Sequence, residues 1–312
     1  VANVRVVVTG GAGFIGSNLV AELSGRPEVT EVRVVDDLST GSRANLAGLG
    51  ATFFEGSVCD PALLDTALAG ADAVVHLAAL PSVPRSVADP LASHHANATG
   101  TLQVLLAARR AGHLPVVAAS SSSVYGANPT LPKHEGLRTA PLSPYAVSKQ
   151  ATESYLTAFA RCYGLPVLPF RFFNVFGPGQ PAGHAYAAVV PTFVDAALAG
   201  RPLRLHGDGL QTRDFTYVGT VRAVLAEAVL RGVSSAEPVN LAFGTRTSLR
   251  ALVAELEAVL GRSLRVEHTD PRPGDVRDSQ ADNARLRGLF PDVVPTPLRE
   301  GLERTVEWFR SR

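Results

Sequence analysis

The chain contains no methionine and only two cysteines, Cys59 and Cys162, in 312 residues. The cysteines lie far apart, and neither belongs to a Cys-x-x-Cys or Cys/His spacing, so nothing points to zinc and both are expected to be buried thiols. The missing methionine has no physical explanation in the sequence. Charge of one sign is also lacking: the formal net charge is +1 and charged residues make up 18%, which offers no footing for nucleic acid or an anionic membrane surface. No apolar run approaches the roughly 20 residues of a membrane span. The chain enters a strand almost at once, so no signal peptide is expected and the cytoplasm is the expected compartment. There is no internal repeat and no low-complexity tract.

What is present is a hydrophobic content of 46% over 312 residues, enough for one large domain with a smaller one attached or for one elaborated domain. Val4 to Thr9 is a β-branched run of the kind buried on both faces of a parallel sheet. It leads directly into Gly10-x-x-Gly13-x-x-Gly16 and a helical stretch from Phe14 to Leu23. In that setting the first glycine permits a tight turn, the second lets a pyrophosphate approach backbone N–H groups at the helix start, and the third allows close helix–strand packing. Asp36 ends the next strand, Val32 to Val35, 20 residues after Gly16. A carboxylate there accepts hydrogen bonds from ribose hydroxyls and repels a 2′-phosphate, so NAD is preferred over NADP, with Arg43 nearby as the one opposing feature.

Strands at 51–54, 73–77 and 115–119 alternate with helices at 61–69 and, as one long helix, about 89–111. This rhythm means an α/β fold, a doubly wound parallel sheet of Rossmann type, with ligands at the carboxyl ends of the strands. His76-Leu77-Ala78-Ala79 and Ser120 to Ser123 end two of those strands and face that crevice. His76 reads as a packed, hydrogen-bonded imidazole rather than a catalytic one. A hydroxyl among the serines could bond both a substrate oxygen and a phenol, and so relay a proton.

The phenol comes from Ser143-Pro144-Tyr145-Ala146-Val147-Ser148-Lys149. Ser143 is a good N-cap and Pro144 suits the first helical position. The helix then starts at the Tyr, and Tyr145 and Lys149 share a face at i and i+4. A free Tyr titrates near pH ~10, so an adjacent ammonium and the helix dipole are expected to make it more acidic.

Taken together, Thr9-Gly10-Gly11-Ala12-Gly13-Phe14-Ile15-Gly16, His76-Leu77-Ala78-Ala79, Ser121-Ser122-Ser123-Val124-Tyr125-Gly126 and Tyr145-x-x-x-Lys149 resemble the extended short-chain dehydrogenase/reductase family. Within it the chain looks like the NAD-dependent nucleotide-sugar 4-epimerases of the UDP-glucose/UDP-N-acetylglucosamine type. The likeness covers nearly the whole chain, and Arg171 to Pro178, Arg213-Asp214-Phe215 and Pro271 to Asp275 extend it. The resemblance implies NAD contacts at Gly10, Gly13, Phe14, Ile15, Gly16, Asp36, Leu77, Ala78, Ala79, Asn97, Tyr145 and Lys149. It implies catalysis by Tyr145 and Lys149 with Ser121, Ser122 and Ser123, and UDP-sugar contacts at Arg85, Asn174, Arg213, Arg272, Asp275 and Ser279. Arg213 and Arg272 would reach the diphosphate, which two guanidiniums suit well. A small Ser279, where galactose-restricted relatives carry an aromatic, would leave room for a 2-acetamido group.

The resemblance further implies a NAD-binding Rossmann domain at 1–173 plus 214–243, a smaller, mostly C-terminal α/β nucleotide-sugar domain at 174–213 plus 244–312, and a homodimer. Relatives that dehydrate or decarboxylate carry acidic residues just before Val-Tyr-Gly, whereas this chain has Ser122 and Ser123. Two departures are Glu55-Gly56-Ser57, where relatives carry Asp after Gly, and a slightly short Ser121-to-Tyr145 spacing. The expected activity is epimerisation of a UDP-hexose at C4. A dehydratase, a decarboxylase, an epimerase of UDP-glucuronate and a catalytically silent NAD-binding regulator are the alternatives.

Overall fold

The structure, a computed structural model, describes residues 3–183, 187–270 and 277–312. Its centre is a seven-stranded parallel sheet in the order β3 (Thr52–Glu55), β2 (Val29–Asp36), β1 (Val4–Thr9), β4 (Ala73–His76), β5 (Val116–Ser121), β6 (Val167–Phe172) and β11 (Val239–Leu241). The chain builds outward from β1 in one direction and returns to build outward in the other. The switch lies between β1 and β4, where the loops diverge and leave a crevice at the carboxyl ends.

Side-chain alternation along β1 sets the layers. Val6 and Val8 face one side, where they pack with Leu19 and Leu23 of α1 (Phe14–Ser24) and Val221 and Val224 of α8 (Val218–Leu230). Val7 faces the other, with Leu64 of α2 (Pro61–Leu68), Leu105 of α5 (Gly100–Arg110) and Leu156 of α6 (Pro144–Tyr163). Fully burying each such side chain contributes about 1.5–3 kcal/mol. That explains why the β-branched runs form strands here.

A separate cluster forms around Phe176, Phe193, Leu205, Phe215, Leu252 and Leu302. It joins β7 (Asn174–Phe176) paired with β10 (Phe215–Tyr217), β8 (Leu203–His206) paired with β13 (Val266–Thr269), and helices α7 (Val189–Leu198), α9 (Leu249–Leu260) and α11 (Leu298–Arg310). Phe176 meets Phe215 and Tyr217 edge to face, at 6.2 and 5.8 Å between centroids. The two-stranded ladder of β9 (Thr212–Arg213) with β12 (Thr247–Ser248) closes the same region.

Two expectations change. The long helix from about Asp89 to Ala111 is interrupted: α4 (Pro90–His94) passes through a π turn at His95–Thr99 before α5 begins. The buried-thiol reading also fails, because Cys59 is only half-buried and Cys162 is exposed on the outer side of the last turn of α6. None of the described helices is long and apolar enough to cross a membrane.

Candidate functional site

A cavity of about 1450 Å³ opens at the carboxyl ends of β1, β4, β5 and β6 and extends to β8, β9 and α7. One end is the glycine turn. Gly10 adopts φ +72°, and a Cβ there would meet Ala78 N at 2.6 Å; a Cβ at Gly16 would meet Gly10 O at 2.1 Å. Only hydrogen fits at either position. Gly13 is the N-cap of α1, so Phe14, Ile15 and Gly16 present the positive end of that helix to the cavity, which Gly10, Leu77, Ala78 and Ala79 also line. This is a cradle for a diphosphate.

Asp36, 7% exposed, accepts from Ala12 N at 2.9 Å and Leu38 N at 2.8 Å. Burial raises its pKa above the usual carboxylate value, while the two backbone donors oppose the rise. Each oxygen keeps a lone pair for a ribose hydroxyl. Arg43 turns away from it, stacking on Phe53 and pairing with Glu55 at 3.7 Å. Ser57, in place of the usual acid, lines the cavity and accepts from Cys59 N.

The other wall carries the tyrosine face of α6. Ser143 accepts from Ala146 N and Pro144 opens the helix, so the start falls where the sequence places it. Tyr145 N donates to Ser86 Oγ at 3.0 Å, which fastens α6 to α3 (Val83–Ala88). Lys149, 5% exposed, donates from Nζ to Ala119 O at 2.8 Å. Tyr145, Lys149, Ser121, Ser122 and Ser123 all line the cavity. Ser121 hydrogen-bonds the phenol, and Ser123 Oγ is buried without a partner.

The expected acidity of the phenol is not what these surroundings produce. Burial raises the Tyr145 pKa, and the opposing influence is Ser121 rather than Lys149. Burial likewise lowers Lys149 to about 8, against the pull of Glu153. Desolvation outweighs the charge effect because both groups sit against the sheet.

His76 is the packed imidazole the sequence implies. At 3% exposure it lies between Thr9 Oγ1, 2.7 Å from Nδ1, and Thr101 Oγ1, 3.1 Å from Nε2. Thr101 donates its own proton to Asn97 O at 2.6 Å. Nε2 therefore carries the imidazole hydrogen and Nδ1 accepts from Thr9. Asn97 does not line the cavity; buried in the π turn, it accepts from Leu80 N at 2.7 Å and donates to Ser148 Oγ at 2.9 Å. It holds the loop after β4 to the tyrosine helix.

At the far end Arg85, Asn174, Arg213 and Ser279 converge on the cavity. Asn174 and its backbone N–H both point to Asp214 O, and Arg213 Nη1 donates to Thr212 O and Arg277 O. Arg272 and Asp275 lie outside the described residues. Sequence reasoning missed Gln211, His206 and Lys133 in the lining. For Lys133 a signal existed: of the chain's 29 lysines and arginines only Lys133 and Lys149 are lysine, and both line the cavity.

The model of the NAD dependent epimerase/dehydratase family matches residues 6–242. The chain belongs to that family. The UDP-glucose 4-epimerase of Mycolicibacterium smegmatis is 38% identical over 99% of both chains. A dTDP-glucose 4,6-dehydratase of Streptomyces niveus is 33% identical over 98% of this chain and 93% of its own. Among solved structures, a UDP-N-acetylglucosamine 4-epimerase from Methanobrevibacter ruminantium superposes with a TM-score of 0.93 at 37% identity, covering 100% of this chain and 99% of that one.

As a member of the NAD dependent epimerase/dehydratase family the protein uses NAD. The glycine turn that tolerates no Cβ, the α1 N-terminus and the twice-bonded Asp36 fit a dinucleotide. Beside that cradle, a phenol, an ammonium and three hydroxyls can move a proton to and from a hydroxyl of a bound sugar.

Proposed function

We propose that the protein is a 4-epimerase of a UDP-hexose, acting on UDP-glucose and UDP-galactose and accepting their N-acetylated counterparts, with NAD held tightly between turnovers. The observation that carries this reading is the cavity wall where Tyr145, Lys149 and Ser121 stand with no carboxylate at positions 122 and 123. Reversible oxidation at C4 needs one proton acceptor, whereas eliminating water from C5 and C6 needs an acid and a base beyond the phenol. The relatives' epimerase names support the same reading.

Bound NAD supplies a reversible acceptor for the C4 hydride. Tyr145 Oη, entering the step as phenolate, takes the C4 hydroxyl proton, directly or through Ser121, and as phenol returns it to the C4 oxygen when the hydride comes back. Lys149, anchored to Ala119 O, holds the nicotinamide ribose. Asp36 holds the adenosine ribose, Asn174 and Arg85 meet the sugar, and Arg213 anchors the diphosphate so that the ring can offer either face. The small Ser279 leaves space for a 2-acetamido group. The nucleotide sugar lies between the parts formed by residues 1–173 plus 214–243 and 174–213 plus 244–312. The protein pairs as a homodimer.

The dehydratase relatives favour a second reading on the same scaffold. One experiment separates the two. The purified protein, without added NAD, is incubated separately with UDP-glucose, UDP-N-acetylglucosamine and UDP-glucuronate, and the anomeric protons are followed by NMR. Galacto-configured signals establish epimerisation with retained cofactor and rank the sugars; a 4-keto-6-deoxy or pentose product establishes the second reading. No conversion even with NAD supplied overturns the reading as a 4-epimerase of these UDP-sugars.

A further inference from the structure

Tyr145, Lys149 and Glu153 follow one another at i, i+4 and i+8 along α6, on the face turned to the sheet. The third of them has no place in the chemistry above. Glu153, 6% exposed, accepts Arg171 Nε and Nη2, both at 2.8 Å, and Ser120 Oγ at 2.5 Å. Arg171 and Ser120 are neighbours in register across β6 and β5. Arg171 also stacks over the Tyr125 ring at 4.7 Å, and Tyr125 donates to Asn240 Oδ1 of β11 at 2.7 Å. One buried carboxylate thus ties the tyrosine helix to the strand end that leads into Ser121 and to the strand that leads into Asn174.

We propose that Glu153 is a positioning residue for Lys149: clamped by Arg171 and Ser120, it supplies the buried negative charge one helical turn beyond the ammonium and holds that turn against the serine-bearing strand end. A buried ion pair removes two charges from water, and replacing it with apolar side chains is often neutral or stabilising. Stability alone therefore does not account for it. A charge partner for Lys149 does.

The groups around Lys149 leave that role to Glu153. On α6 it has Tyr145 one turn before and Glu153 one turn after. From β4 it meets His76, which burial lowers to about 3 and so leaves neutral at physiological pH. From β5 it meets the Ala119 carbonyl and Ser120. The guanidinium of Arg171 on β6 is engaged bidentately by Glu153 itself. Glu153 is the one charged group whose field raises Lys149 against burial.

The consequence for turnover rests on the proposed role of Lys149, but the charge relation can be measured apart from activity. Because the chain has only two lysines, Lys133 and Lys149, protein labelled with ε-¹³C-lysine gives two side-chain signals, assigned with a Lys133→Gln variant. Titration of the whole 312-residue chain should place Lys149 near 8. Glu153→Gln should lower that midpoint by about one pH unit, and Glu153→Asp should restore much of it. Should Glu153→Gln leave Arg171 unpaired and fail to fold, Glu153→Gln/Arg171→Met removes both charges and should lower Lys149 in the same direction by less. A Lys149 midpoint unmoved in every folded variant overturns the proposal. A midpoint that falls together with the alkaline limb of the pH–rate profile supports it. A midpoint that falls while the profile stays put also supports it, and the failure then lies with the role assigned to Lys149 in turnover.

Discussion

Tyr145, half-buried at the cavity wall, and His76, buried against the sheet, both feel desolvation, and it acts on them in ways that separate experiments can read. Tyr145→Phe removes the phenolic oxygen and leaves Lys149, Ser121 and the α6 N-cap in place. Turnover should fall by about 10²–10⁴-fold, the usual contribution of a positioned acid or base. NAD content of the purified protein and UDP-sugar affinity, read by calorimetry, should stay within a few-fold; near-normal turnover would show that another group is the base. At His76 the effect is on stability. The imidazole is held at about 3 in the folded chain and returns to about 6.5 when unfolded. The unfolded chain therefore binds the extra proton between these values, so stability is complete above pH 6.5 and is lost as pH falls toward 3. From pH 6.5 to 4.5 the loss from this group is roughly 2 kcal/mol. Urea unfolding at pH 7 and 4.5 should show that drop in the parent chain and a drop smaller by about this amount in His76→Asn, itself less stable at pH 7. The identity of these residues was legible in the sequence, because Tyr-x-x-x-Lys and the end of a buried strand are local patterns. The direction of the Tyr145 shift was not, since desolvation depends on side chains that arrive from β5 and α3.

Among the elements, the segment after β4 shows where periodicity stops informing. Hydrophobic spacing from Asp89 to Ala111 reads as one helix, and nearly all of it is helical, but the π turn at His95–Thr99 inserts an extra residue into the ladder. Its reason is tertiary: the bulge turns Asn97 inward, where its amide meets the loop at Leu80 and the hydroxyl of Ser148 on α6. π turns of this kind gather at functional sites. Asn97→Ala should leave Leu80 N without its acceptor, costing about 1–3 kcal/mol, while Ser148 Oγ loses one partner and keeps Tyr145 O at 2.8 Å. Because that loop joins the cofactor cradle to the tyrosine helix, NAD retained through purification should fall as well. Retention and melting temperature both equal to the parent chain's would show that the π turn stands without Asn97. The capped start of α6 needed no tertiary information, because Ser143 and Pro144 carry it locally.

For the whole molecule, the strand–helix rhythm of the first half is enough to predict the sheet, since parallel neighbours joined by helices can wind in few ways. The second half gives no such rhythm. Its ladders pair short strands from distant parts of the chain, such as β8 with β13, and a two- to four-residue strand carries little local pattern. The surface holds a further feature of this scale. Val83 and Val87 of α3, Leu91 of α4, and Val147 and Tyr155 of α6 are large apolar side chains left exposed, Leu91 at 80% and Val87 at 65%. Helices α3 and α4 both pack on α6, so these side chains lie on adjoining elements, on the α6 face of the molecule. A twofold axis through that face would set it against itself and make a self-complementary contact. Tyr145 opens α6, so such a dimer would brace the helix that carries the proposed chemistry. Leu91→Glu/Val147→Glu places two carboxylates per protomer in the contact, and light scattering at micromolar concentration should then give the mass of a single chain, with turnover per chain reduced because α6 loses its brace. A parent chain already monomeric under those conditions would refute the dimer, and a double variant that remains dimeric would place its interface on another face.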